Sequence, residues 1–279
     1  MRRYALWTGL VLALLVLAAA GWAARGAGAG PAIPHTKGRN TMLDSPRFSR
    51  RLAAAGLIAA PILLAVSFLF ERTTTGDAAA YLADVAANRN AHMAWAALFA
   101  LGAVLMLPGM LGVARLLRGR QGTIGRIGAL ALGVASVVIA GILLAISVVE
   151  VAMVDAAADR AQMIALSERT EEVGFGSAVF GVVWFGGFVL GSLALAIGLL
   201  IRRVVPIWSP LLLVGWLALL FFVEGRLGSI LGSLALVAAL APLAYRIATL
   251  RDDQWARWQP LPDEDPRRFA AKEVSGAHA

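Results

Sequence analysis

The sequence predicts an all-α protein, a polytopic transmembrane helix bundle of six core spans preceded by one N-terminal hydrophobic helix. Of its 279 residues 59% are hydrophobic and only 15% charged, with mean hydropathy +0.76. That is more apolar surface than one water-soluble core can bury, so the solvent must largely be lipid. The apolar residues also arrive in blocks of the roughly 20 residues that a helix needs to cross hydrocarbon at about 1.5 Å per residue. Segments of about ten residues that alternate apolar and polar, the mark of a membrane barrel, are missing.

The first block, 4–22, follows Met1-Arg2-Arg3 and ends in Ala18-Ala19-Ala20, which taken alone reads as a signal peptide or anchor. A Gly- and Pro-rich linker then runs to Thr41. The core spans are expected at 52–70, 92–117, 127–151, 175–201, 207–223 and 227–250. With the first of these starting inside, the inner segments hold Arg47, Arg50, Arg51, Arg115, Arg118, Arg120, Arg126, Arg202, Arg203, Arg246 and Arg251. The outer ones hold Arg72, Arg89, Arg160, Arg169 and Arg226. This excess of inner arginines places both ends of the core on the cytoplasmic side.

The N-terminal block conflicts with that orientation, because an anchor with Arg2 and Arg3 inside would deliver Arg47, Arg50 and Arg51 outside. Two readings resolve it, a seventh helix with its N-terminus outside or translation from Met42, and the charge rule favours Met42. Residues 1–41 are accordingly set apart from a bundle at 42–250.

Two outer segments are long enough for short interfacial helices. Thr75-Gly76-Asp77 would cap 78–87, where Tyr81, Leu82 and Val85 fall at helical spacing; 153–169 carries Asp155, Asp159 and Glu168, followed by Glu171 and Glu172. The tail 251–279 has three prolines, five basic and six acidic residues. It is expected to be disordered and cytoplasmic.

The net charge of +8 lies in short runs between apolar blocks. These runs are topology signals and imply no nucleic-acid partner. The partner implied is the lipid bilayer, with a homo-oligomer or another membrane protein as a further option. The chain has no cysteine, which excludes disulfides, iron–sulfur clusters and thiolate metal sites. His92 is the one histidine outside the tails, so neither bis-histidine haem nor a histidine metal pair is expected. No cofactor is predicted. Hydrolase, phosphate-loop and redox motifs are missing, and Glu171-Glu172 lacks the arginine that a membrane CAAX-type protease pattern needs, since position 176 is glycine.

Acidic groups near hydrocarbon are the default functional candidates because burial there is costly. Glu150 and Glu224 qualify, both at the expected outer ends of spans where water is within reach. Arg226 follows Glu224 in a tight turn, where a local ion pair is the simplest reading. Together Glu150, Glu224 and Arg226 form the candidate polar cluster. Gly187 and Gly191, with Ala194 and Gly198, and Gly228 and Gly232 with Ser229 and Ser233, permit close helix approach, and the two sets are expected to pack on each other. Pro61 and Pro108-Gly109 would bend or open their helices.

Several segments carry a resemblance: Asp77-Ala78-Ala79-Ala80-Tyr81-Leu82 before the second span, Leu107-Pro108-Gly109 with Gly112-Val113-Ala114-Arg115 at its inner end, the long acidic outer loop, and Val205-Pro206-Ile207-Trp208. Over 48–250 the chain resembles a family of small six-helix bacterial membrane proteins catalogued as a domain of unknown function. The resemblance implies a compact six-helix bundle and assigns no activity. A non-enzymatic structural, sensory or accessory role leads. A small-molecule or lipid transporter would need a polar cavity at mid-membrane, and an unrecognised membrane enzyme would need convergent polar groups at one depth.

Overall fold

The computed structural model describes residues 45–71, 78–155, 159–175, 178–223 and 225–256. The hydrophobic block at 4–22, Met42, the Thr75-Gly76-Asp77 cap and the tail from 257 lie outside the described residues. The helices are α1 (Pro46–Ser67), α2 (Ala78–Ala87), α3 (Arg89–Leu116), α4 (Thr123–Asp155), α5 (Arg160–Phe175), α6 (Ala178–Gly181), a π-helical stretch Val182–Leu190, α7 (Gly191–Arg202), α8 (Trp208–Phe222), α9 (Gly225–Thr249) and α10 (Asp252–Ala256). No strand occurs among the described residues. The fold is the expected all-α bundle.

Five helical segments are long and apolar enough to cross a membrane: α1, α3, α4, Val182–Arg202 and α9. The sixth expected span is α8, an apolar helix of 15 residues that reaches only about 22 Å. That is shorter than a hydrocarbon core of about 30 Å. The helix still completes a ring. In turn α1 packs on α3, α3 on α4, α4 on α7, α7 on α8 and α8 on α9, and α9 returns to α1. Short connections make chain neighbours into spatial neighbours, and the closure of α9 on α1 leaves no helix at an open edge.

Local chemistry explains where the helices start and stop. Pro46 stands at the first turn of α1, after Ser45 in extended conformation; its fixed φ suits that turn and its missing N–H is not needed there. At the end of α7, Arg203 adopts φ 47° and donates its N–H to the Leu199 carbonyl, a left-handed cap of the kind usually left to glycine. Pro206 then prevents the helix from resuming. Pro61 and Pro108 lie inside α1 and α3, which run on as continuous helices through both. Neither helix is broken there, although each proline, having no N–H, leaves one bond of the ladder unmade.

Large apolar side chains occupy both faces of the ring. Leu57, Met110, Leu132, Leu195, Leu213 and Leu240 fill the centre, while Ile127, Val182, Leu211, Leu234 and Phe222 (85% exposed) point outward. A soluble bundle would carry polar side chains on that outer surface. These are lipid-facing positions, and the chain is an integral membrane protein.

The glycines set the closest contacts. A Cβ at Gly125 would lie 2.9 Å from Gly198 Cα, and one at Gly128 would lie 2.5 Å from Gly191 O, so α4 and α7 meet backbone to backbone. Gly187 is packed the same way against Ala131 and Ala135. This corrects the expected pairing of the two glycine sets: Gly187 and Gly191 lie on α4, whereas Gly232 faces Trp216 of α8 and Gly228 meets the backbone of Val223. Four-residue spacing reveals a smooth helix face but not its partner. In the π-helical stretch the widened turn brings residues four apart into register, and Phe180, Trp184 and Phe188 stack with ring planes 10° and 11° apart.

The expectation of disorder from residue 251 is also corrected. Residues 252–256 form α10, and Trp255 is buried, donating Nε1–H to Ser49 Oγ at 2.9 Å beneath the Arg115 guanidinium, 4.9 Å from the ring centre. Asp252 pairs with Arg47 (2.5 Å) and Arg50 (3.0 Å). Arginines also cap carbonyl ends here: Arg50 donates to Leu250 O, Arg118 to Gln254 O at 2.7 Å and Arg115 to Ala256 O at 3.2 Å. Composition suggested disorder because charge and proline dominate the tail, but a single tryptophan over an arginine-rich helix end supplies enough contact to order its first turn.

Candidate functional site

Apart from the arginine-rich end just described, charged side chains gather at the opposite end of the ring. There α2 is held by Leu82 and Val85, which are 5% and 2% exposed, and it packs on α3, α4 and α5. Those two side chains are the apolar face that the helical spacing of 78–87 predicts. With that face turned inward, Tyr81 reaches α4. Its hydroxyl donates to Glu150 Oε2 at 3.0 Å.

The same carboxylate oxygen lies 3.1 Å from His92 Nε2, off the direction of a hydrogen bond. His92 opens a stripe on α3 that continues through Trp95 and Phe99, at one and two helical turns. The rings are in contact along it: Tyr81 to His92 at 6.2 Å, His92 to Trp95 at 5.8 Å and Trp95 to Phe99 at 6.1 Å between centres. Asn88 donates to Asp84 Oδ1 at 2.8 Å, closing the step from α2 into α3. Outside this group, half-exposed Arg89 and Asp155 pair at 2.5 Å.

Glu150 is therefore not an exposed interfacial carboxylate but one only 4% exposed, held by a phenol and an imidazole. The correction has a clear cause. The reach of water at a helix end is set by what lies over it, and α2 lies over this one. Glu224 lies outside the described residues. Arg226 is placed within electrostatic reach of Glu71 and offsets part of the burial that lifts the Glu71 carboxyl above its ordinary range. Glu71 was not among the candidates from sequence, nor were Asp84, Asn88 and Tyr81 as partners. Residues 81 and 150 are 69 apart, and no local pattern announces such a pair.

A cleft of about 210 Å³ opens beside this group, lined by Phe70, Glu71, Tyr81, Asp84, His92 and Trp95. Glu71 Oε2 is buried there without a hydrogen-bond donor. Among the described residues no three His, Asp or Glu side chains are grouped to hold a metal ion. No family model, curated protein or solved structure matches the chain. What the site can do follows from its own chemistry. It combines a buried carboxylate already engaged, a second carboxylate lacking a donor, and an aromatic wall, all at one end of a membrane bundle.

The Glu150 contacts yield a direct prediction. Glu150→Ala removes the acceptor of the half-buried Tyr81 hydroxyl and is expected to destabilise the protein by about 0.5–1.5 kcal/mol, the net worth of one hydrogen bond. Glu150→Gln keeps an acceptor for the phenol and is expected to cost less. Thermal unfolding in detergent separates the two, and equal midpoints would remove the structural role given to this carboxylate.

Proposed function

We propose that the protein is a multi-pass bundle of a bacterial plasma membrane with its arginine-rich end in the cytoplasm. In this reading it acts as a non-enzymatic recognition protein, sensory or accessory, through the cleft at its outer, acidic end. The likeness to small six-helix bacterial membrane proteins of unknown function belongs to the same proposal, and the closed ring supports it. Orientation is supported by the gathering of Arg47, Arg50, Arg115, Arg118, Arg202, Arg203 and Arg246 at one end.

The observation that carries the functional reading is the dry centre beneath the cleft. The mid-bundle void measures only about 20 Å³ and is lined by side chains such as Leu64, Phe99, Met106, Phe188 and Trp216. That is room for about one water. Its one hydroxyl, that of Ser136, donates to its own helix at Leu132 O, 2.8 Å away. Buried Ser209 and Ser233 likewise donate to backbone carbonyls, of Ala239 and Ser229. A transporter of polar solutes needs a hydrated or ion-paired site near the midplane, and no acidic or basic residue stands between Arg126 and Glu150, or between Arg226 and Arg246.

Two measurements test this. Proteoliposomes are expected to show no flux of potassium, protons or small zwitterions above protein-free vesicles; saturable flux would sink the non-conducting role. Single cysteines at Gln121 and Ala165 in this cysteine-free chain should label from the cytoplasmic and outer sides respectively, and the reverse pattern would invert the orientation. A second reading, a membrane enzyme, has one observation in its favour: Tyr81, His92 and Glu150 meet at one depth, as general acid–base chemistry requires.

A further inference from the structure

We propose that the outer cleft binds a compact organic ammonium ion of the amino-alcohol class, such as ethanolamine or choline. The inference rests on the reading that the acidic end is the recognition face, and it adds the chemistry of what is recognised. Three features of the cleft point the same way.

The first is the wall. Phe70, Tyr81, His92 and Trp95 line one small space, and the faces of aromatic rings attract cations, most strongly ammonium groups that shed water easily. Aromatic walls alone would suit any flat apolar molecule. The second feature selects charge: Glu71 and Asp84 line the same space, and Glu150 adds a third carboxylate behind Tyr81 and His92. Against these stands Arg226, which reaches Glu71 by longer-range charge, while Arg89 is already paired with Asp155. Among the described residues the balance at the cleft is negative, which disfavours an anionic occupant.

The third feature is what remains unmet. Glu71 Oε2 is buried with no donor, and Trp95 Nε1 is buried with no acceptor. A buried polar atom left unpaired costs about 1–3 kcal/mol, so two among the residues that line the cleft describe a site that lacks its complement. A primary ammonium such as that of ethanolamine donates to the first, and the quaternary ammonium of choline, which has no N–H, meets it by charge alone. An oxygen a few atoms away on the same molecule accepts from the second, which favours an amino alcohol over a simple alkylammonium. Size agrees: about 210 Å³ corresponds to roughly seven waters at about 30 Å³ each, below the range of drug-sized pockets. The rim is polar and at the membrane interface, so the ammonium group has two sources, a free amine in solution or the headgroup of an aminophospholipid.

The test uses the full chain in nanodiscs of phosphatidylglycerol alone, titrated calorimetrically with choline, ethanolamine and, as an oxygen-free control, tetramethylammonium. Saturable binding of choline or ethanolamine is expected, weaker for tetramethylammonium. Glu71→Gln should weaken ethanolamine binding about tenfold, in line with a lost charge-assisted hydrogen bond. Glu168→Gln, an exposed carboxylate at the same end, should leave it unchanged, and unfolding midpoints verify that both variants are folded. Trp95→Phe keeps the ring and removes the N–H, and should narrow the gap between choline and tetramethylammonium.

Nanodiscs containing phosphatidylethanolamine distinguish the source. Loss of amine binding there, restored in the phosphatidylglycerol discs, identifies the lipid headgroup; unchanged binding identifies a free amine. No saturable heat for any of the three cations up to about 100 mM, a range weaker than millimolar affinity, would overturn the proposal, as would equal binding by Glu71→Gln. Flux in proteoliposomes would instead overturn the non-conducting role and leave the ligand assignment standing.

Discussion

Leucine in place of Gly198 is expected to destabilise the bundle by about 3 kcal/mol or more, enough to abolish a folded species in mild detergent. The magnitude follows from where the new side chain would go. A Cβ at Gly198 would overlap the backbone of Gly125 on α4, and main chain cannot move aside as the end of a flexible side chain does. Over-packing by a few methylenes already costs about 1–3 kcal/mol in cores where neighbours can adjust. Here α4 and α7 would have to separate, which also loosens the Gly128–Gly191 contact one turn away. Gly215→Leu is the matched control. Nothing lies within 4 Å of a Cβ at Gly215, and leaving glycine in a helix gains about 0.5–1 kcal/mol. Thermal unfolding followed by circular dichroism should show a collapse for Gly198→Leu and no loss for Gly215→Leu. Equal losses would mean that the α4–α7 contact is not as close as described.

Trp255→Ala is expected to release α10 from the arginine-rich end, removing about 3–5 kcal/mol of docking, the usual range for truncating a fully buried tryptophan. A helix of five residues has no stability of its own, and Trp255 is its one buried side chain. Its loss removes the packing under Arg115 and the bond to Ser49 together. The readout is local: trypsin should cut at Arg251 in the variant under conditions where the native chain is protected there, while the unfolding midpoint of the spans changes little. Acid should act in the same direction. Arg47, by hydrogen bond, and then Arg50 hold the Asp252 carboxyl below its ordinary value. Because its folded pKa is depressed, the ion-pair contribution is complete above the unfolded value of about 3.9 and is lost as pH falls through the folded value. Asp252→Asn should abolish that acid sensitivity.

The sequence by itself determined the environment, the helical class and the ends of most elements. These are one-dimensional properties: block length against bilayer thickness, apolar period, proline and arginine at boundaries, and the near-exclusion of charge from mid-span. The helix over 78–87 was legible from the spacing of Tyr81, Leu82 and Val85 for the same reason. Tertiary structure alone decided which helix faces meet. Gly187 and Gly191 read as a contact surface from sequence, yet their partner on α4 is fixed by the order of the ring. Glu150 read as a solvated carboxylate because nothing within ten residues covers it; its cover, Tyr81 and His92, comes from α2 and α3. Glu71 gave no signal, since one carboxylate after a span is ordinary until burial takes away its donors. Trp255 lay in a tail whose composition spoke for disorder, and only the arginine-lined end of α3 made its burial favourable. Period and length are carried by neighbours along the chain, whereas burial, pairing and pocket chemistry are carried by neighbours in space.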